Sequence, residues 1–212
     1  MHPIKKAWIL SDYVYLDQEV HNKLPEDLVF VASLRHGSDR CFMWKDTEDL
    51  HIVFRGSDDL MDWVSNLDAG WAGEHDSISE SYESFSSDIL HIAKHHLNLD
   101  FNICGHSRGG ALATFCAEHL SILKPLSCIT FGAPAVYRKD GRDHYNRLPI
   151  DHTNVYVRGD IVATSKLIYL AGFRHVGKSV VLPASFLNLL TFFRVKAHLR
   201  ETLDNAVKKR WK

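Results

Sequence analysis

The sequence predicts an α/β fold, a mostly parallel sheet with helices packed on both faces. Short apolar runs and longer segments with apolar residues at helical spacing alternate through its second half. Asp100–Cys104, Arg108–Leu123 and Leu126–Phe131 form a strand–helix–strand unit whose spacer has the length a parallel pair needs. The composition, 45% hydrophobic and 24% charged over 212 residues, is that of a globular chain with a real core, and one domain over 1–212 is expected.

Taken in order, Ala7–Val20 places Trp8, Leu10, Val14 and Tyr15 at helical spacing and reads as an opening helix. Leu28–Leu34 is a β-branched and aromatic run, hence a strand. Cys41–Trp44 and His51–Phe54 are two short strands joined across the polar turn Asp46-Thr47-Glu48-Asp49, a hairpin signature. Leu60, Trp63, Val64, Leu67 and Trp71 suggest a short amphipathic helix, and Ser79–Leu97 a second, longer one. After the strand–helix–strand unit, Val155–Val157 and Phe173–Leu182 read as strands, and Ser185–Lys209 as mostly helical.

Charge and composition exclude several function classes. With 25 Lys and Arg against 26 Asp and Glu, the net charge of −1 offers no basic face for nucleic acid. No apolar stretch approaches the roughly 18 residues of a membrane span. Residues Met1–Val20 lack the apolar core of a secretory signal, and Cys41, Cys104, Cys116 and Cys128 show no CxxC spacing. Free buried thiols and a cytoplasmic location are therefore expected. The 14 histidines invite a metal reading, but His91, His95 and His96 lie beside Lys94 and no HExxH is present, so no metal and no cofactor is expected.

The strongest local signal is Gly105-His106-Ser107-Arg108-Gly109, a G-x-S-x-G between a strand and a helix. A serine on such a turn presents its hydroxyl at the carboxyl edge of the sheet, and the flanking glycines permit the tight backbone. The small run Gly109-Gly110-Ala111-Leu112-Ala113 suits a helix packed closely on strands. Ser107 is the expected nucleophile. The fold's order of serine, acid, histidine then makes Asp160, just past a buried-looking strand and a glycine, the expected acid. Two histidines follow it, His175 and His198, and the order alone leaves both open as the base.

Several blocks resemble the class 3 lipases, the α/β-hydrolase branch that includes fungal triacylglycerol lipases and plant phospholipases A1. Val53-Phe54-Arg55-Gly56-Ser57 resembles the family's F-R-G-[ST] strand end, and Asp62-Trp63-Val64-Ser65-Asn66-Leu67 its D-W-x-x-N-L. Ile103–Ala113 resembles the G-H-S-x-G-G-A-L-A block, Thr130-Phe131-Gly132-Ala133-Pro134 the T-F-G-x-P, and Val157–Val162 the acid block V-x-x-x-D-x-V-P. Phe173-Arg174-His175-Val176-Gly177 resembles G-F-x-H-x-G. The chain departs from the pattern at Ala163, where proline is common, at Ala135-Val136-Tyr137 and at His75-Asp76-Ser77-Ile78.

The resemblance implies an α/β-hydrolase fold and a serine carboxyl-ester hydrolase acting on acyl lipids, with a lipid ester as substrate and transient contact with a lipid surface. It implies His198 rather than His175 as the base, since Ala197-His198-Leu199-Arg200 resembles the family's later D-H-L-x-Y block. It implies an oxyanion hole from the backbone N–H groups of Arg108 and Ser57. Residues 58–72 are the candidate lid. A non-catalytic lipase-like module, or a thioesterase or peptidase on the same scaffold, are the alternatives.

Overall fold

The computed structural model describes residues 1–15, 24, 25, 27–56, 60–183 and 200–211, and the side chains within them except along 60–75. The chain opens with α1 (Pro3–Tyr13). It continues through β1 (Val29–His36), β2 (Asp39–Lys45), β3 (Asp49–Arg55), α2 (Leu60–Lys94), β4 (Asp100–His106), α3 (Arg108–Leu120) and β5 (Leu126–Phe131). Then come β6 (Tyr137–Arg138), α4 (Lys139–Tyr145), β7 (Ile150–Val157), α5 (Lys166–Leu170), β8 (Phe173–Arg174), β9 (Lys178–Leu182) and α6 (Arg200–Arg210).

Seven strands form one sheet in the order β1-β2-β3-β4-β5-β7-β9. The ladders from β3 to β9 are parallel, and the two at the β1 end are antiparallel. The mostly parallel α/β sheet is therefore present, with an antiparallel meander at one edge. Its β2–β3 turn is built by Asp46, whose Oδ1 accepts from the N–H groups of Glu48 and Asp49 at 2.9 and 2.7 Å. An aspartate that satisfies turn amides itself is what makes this hairpin legible.

The strand periodicity sorts side chains onto two faces. Leu50, Ile52 and Phe54 of β3, with Phe101 and Ile103 of β4, join Ile78, Phe85 and Ile89 of α2 and most of α3 in one core. Val53, Cys104, Ile129, Phe131, Val155 and Val157 join Trp8 and Leu10 of α1 and Leu203 and Val207 of α6 in the other. The four cysteines are free and buried. Among the described residues no helix is long and apolar enough to cross a membrane.

Three expectations are corrected, and a fourth lies partly outside the described residues. The opening helix ends at Tyr13, and residues 16–23 lie outside the described set. The two helices expected over 60–71 and 79–97 are one helix of 35 residues, α2. The strand expected over Phe173–Leu182 is two: β8 pairs with β6 in a separate two-stranded sheet, β9 closes the main one, and Gly177 at φ +64° turns the chain between them. Of the helix expected over Ser185–Lys209, residues 185–199 lie outside the described set, and α6 carries the rest.

Candidate active site

The parallel strands β3, β4, β5 and β7 end along one edge of the sheet, and the site is built on the turns that follow them. β4 runs straight into α3, and Ser107 is the only residue between them. Its backbone sits at φ 57°, ψ −128°, and among the described residues it is the one non-glycine with positive φ. Such a conformation costs about 1–3 kcal/mol and persists only where the surroundings enforce it.

Here the surroundings do. The Ser107 N–H donates to Phe131 O at 2.8 Å, tying the turn to the end of β5. A Cβ on Gly105 would collide with the Gly109 carbonyl, and one on Gly110 would lie 2.6 Å from the Cβ of Ala133. The glycines are thus required by close approach of α3 to the strands. Ser107 is buried, as are both its neighbours.

Arg108 is the first residue of α3, so its N–H lies outside the helix's own hydrogen-bond ladder and at the positive end of the helix dipole. Its side chain turns away to a buried ion pair: Nε donates to Asp39 Oδ1 at 3.0 Å and Nη2 to Asp39 Oδ2 at 2.9 Å. Nη2 also reaches Ser81 Oγ of α2 at 3.1 Å. This partnership was not readable from the sequence, where Asp39 is an ordinary turn residue. On the other side, His106 Nδ1 is 3.1 Å from Tyr15 Oη, and its ring meets Trp8 edge-on.

Asp160 lies on the turn after β7, fully buried. Gly159 at φ +87° reverses the chain, and the Asp160 N–H donates to Val157 O at 3.0 Å. One carboxylate oxygen, Oδ1, accepts from the N–H groups of Val162 and Ala163 at 2.8 and 3.0 Å. These two hydrogen bonds from backbone amides fix the side chain's rotamer.

His175 Nε2 lies 2.8 Å from the Ala163 carbonyl oxygen. A carbonyl only accepts, so Nε2 carries the proton and cannot be the nitrogen that takes one from a serine. The ring stacks on Tyr156 with centroids 5.8 Å apart. Burial lowers its pKa, against the opposing pull of the Ala163 carbonyl and the Asp160 charge. His198 and Ser57 lie outside the described residues, as do the side chains of the candidate lid over 60–72.

A cluster that the sequence did not signal is Asp46, Asp49 and His51, whose ligand atoms lie within 4.8 Å of one another. The Lys6 ammonium sits on it, 2.7 Å from Asp46 Oδ2 and 3.5 Å from Asp49 Oδ2. The cation this cluster holds is a side chain of α1. It lines a cavity of about 450 Å³ at the opposite ends of β3, β4 and β5, away from Ser107.

The profile of the class 3 lipases matches residues 51–170, from β3 through the acid turn. The chain belongs to the class 3 lipase family. It is thereby a carboxylic ester hydrolase of lipid esters. No curated protein matches it in sequence. Solved structures similar to this lipase include lipase II from Rhizopus niveus, with a TM-score of 0.76 and 17% identity over 93% of this chain and 91% of that one. The triacylglyceride lipase of Rhizomucor miehei gives 0.73 and 18% over 84% and 78%. A triacylglycerol lipase described as having a serine protease triad gives 0.70 and 21% over 84% and 78%. At these identities the likeness is one of fold, and it is the α/β-hydrolase fold.

Proposed function

We propose that this class 3 lipase hydrolyses acyl-lipid esters through Ser107, His198 and Asp160, with the backbone N–H groups of Arg108 and Ser57 as the oxyanion hole. The observation that carries the reading is the backbone of Ser107, held at positive φ between β4 and α3 on the edge where Asp160 also lies. A fold that maintains strain at one serine, with a buried carboxylate two strands away on the same edge of the sheet, is arranged for nucleophilic catalysis.

Two further observations support the residues that are not described. A Cβ on Gly56 would lie 3.4 Å from the Cβ of Ser107, so the chain passes beside the nucleophile one residue before Ser57. The Arg200 guanidinium lies 4.3 Å over the Tyr15 ring, whose hydroxyl meets His106. The two residues from Arg200 back to His198 span at most about 7 Å.

In the reaction, Ser107 Oγ attacks the ester carbonyl as His198 accepts its proton. The oxyanion of the tetrahedral intermediate is met by the two amides, of which each is worth about 10²–10³ in turnover. His198 then protonates the departing alcohol. A water activated by the same imidazole hydrolyses the acyl-enzyme, releasing the carboxylic acid and restoring Ser107. Asp160 holds His198 in the correct tautomer and stabilises its charged form.

The test is Ser107→Ala, assayed on p-nitrophenyl butyrate, a triglyceride emulsion and phosphatidylcholine vesicles in parallel. Loss of all hydrolysis with unchanged circular dichroism is expected, together with loss of covalent labelling by a fluorophosphonate at that position. Full activity in the variant overturns the assignment. Absence of labelling in the unmodified protein favours a non-catalytic module instead.

A further inference from the structure

We propose that His175 is a positioning residue for the catalytic acid: its imidazole pins the peptide that holds Asp160, and so sets how the carboxylate faces the base. The inference rests on the reading of Asp160 as the acid.

The connection runs through a single peptide unit. The carbonyl of Ala163 accepts from His175 Nε2 at 2.8 Å, and the N–H of Thr164, on the other end of that same peptide, donates to Asp160 O at 3.0 Å. One residue back, the Ala163 N–H donates to Asp160 Oδ1. Ala163 is therefore clamped from both sides, by the imidazole on its carbonyl and by the carboxylate on its amide. Hydrogen bonds in such a chain polarise one another, so the imidazole strengthens the bonds that reach Asp160.

The turn over 160–164 is anchored in the core by Val162, and the imidazole adds a polar hold on its carbonyl side. It is one helical turn that is not continued, and α5 starts only at Lys166. His175, by contrast, is fixed firmly. Phe173 and Arg174 before it pair with β6, and Tyr156 of β7 stacks on its ring. After it, the Val176 carbonyl accepts from Asn154 Nδ2, and the Gly177 N–H donates to Asn146 Oδ1 at 2.9 Å. The imidazole thus ties the turn to β7 and β8.

Ala163 makes this chain dependent on that support. Where the family pattern commonly carries proline, with no N–H to offer and a fixed φ, this sequence has an alanine. It gains a donor to the carboxylate and loses the ring that would have stiffened the turn.

The experiment uses the full chain and compares His175→Leu, His175→Gln and Asp160→Asn on p-nitrophenyl butyrate across pH. In His175→Leu, kcat should fall by about 10²-fold at nearly constant KM, the scale of a small misplacement at a reacting centre. The acid limb of kcat/KM should move to lower pH by roughly half a unit, because an imidazolium with a displaced carboxylate partner loses its proton more readily. Glutamine places an N–H near the Nε2 position and should restore kcat to within a few-fold.

A purely structural loss would lower activity at every pH without moving the limb. That result, or unchanged kcat in His175→Leu, overturns the inference. If His175→Leu does not fold, His175→Asn, whose amide stops short of Ala163, carries the same comparison. Inactive Asp160→Asn beside unaffected His175 variants overturns this inference alone, whereas active Asp160→Asn overturns the acid assignment and this inference with it.

Discussion

Asp39 grips the Arg108 guanidinium with both carboxylate oxygens, at 3.0 and 2.9 Å, in a buried pair that joins the first residue of β2 to the residue after Ser107. The pair fixes the side chain of the residue whose amide we propose as an oxyanion donor, and Ser81 extends the hold to α2. Asp39→Ala removes the carboxylate that binds two nitrogens of a buried guanidinium, which should cost about 3–5 kcal/mol in urea denaturation. The double variant Asp39→Leu with Arg108→Leu should recover most of that stability, since an apolar pair removes both desolvation penalties. A double variant no more stable than Asp39→Ala would show the loss to have another origin.

Ser107 gives a prediction of opposite sign. Its φ of 57° is a conformation that glycine adopts without penalty. Ser107→Gly should therefore be inactive yet more stable than Ser107→Ala by about 1 kcal/mol, the relief of strain less the added chain entropy of glycine. Thermal melts of the two inactive variants measure this directly. Equal melting temperatures would mean the backbone relaxes when the hydroxyl is removed.

The sequence carried those parts of the site that local chemistry determines. Gly105, Gly109 and the small residues after them announced the elbow because only they allow α3 to approach the strands. Asp160 was legible through the glycine that turns the chain before it. Contacts set by tertiary packing left no such trace. Nothing near Arg108 points to Asp39, which lies on a strand across the sheet, and nothing near His175 points to a carbonyl twelve residues away. Residues Leu60–Trp71 and Ser79–Leu97 read as two helices from their separate apolar spacings, yet α2 runs unbroken through both and through Gly73 between them.

His152 makes stability depend on pH. It is buried, with Nδ1 2.7 Å from Tyr145 Oη and Nε2 3.4 Å from Thr130 Oγ1, and burial pulls its pKa from 6.5 down to about 3. Between those values the unfolded chain binds a proton that the folded chain refuses, so stability falls as pH falls from 6.5 towards 3. The slope from this one group is at most about 1.4 kcal/mol per pH unit. Urea titrations at pH 7.5, 6 and 5 should show this decline, and His152→Gln should flatten it. An unaltered slope in that variant would assign the acid sensitivity elsewhere.

Arg200 reaches Asp12 Oδ1 through Nε at 2.7 Å while its guanidinium covers Tyr15. Arg200→Ala should lower kcat about 10-fold or more with a modest loss of stability, since it frees the start of α6 from Tyr15, whose hydroxyl meets His106. Arg200→Lys, which keeps the charge but loses the planar two-sided contact, should recover little of that rate. Wild-type kcat in Arg200→Ala would separate α6 from the catalytic centre.

Helices α1 and α6 share one core, and Trp8 Nε1 donates to Asp204 Oδ1 at 3.0 Å across 196 residues of sequence. A ribosome therefore delivers the first half of this layer long before the second. Until Leu203 and Val207 emerge, the face of the sheet behind the nucleophile turn has only half its cover, whatever the strands have achieved. Contacts this distant in sequence slow folding. A nascent chain arrested before α6 therefore carries Ser107 without the layer that Leu203 and Val207 complete.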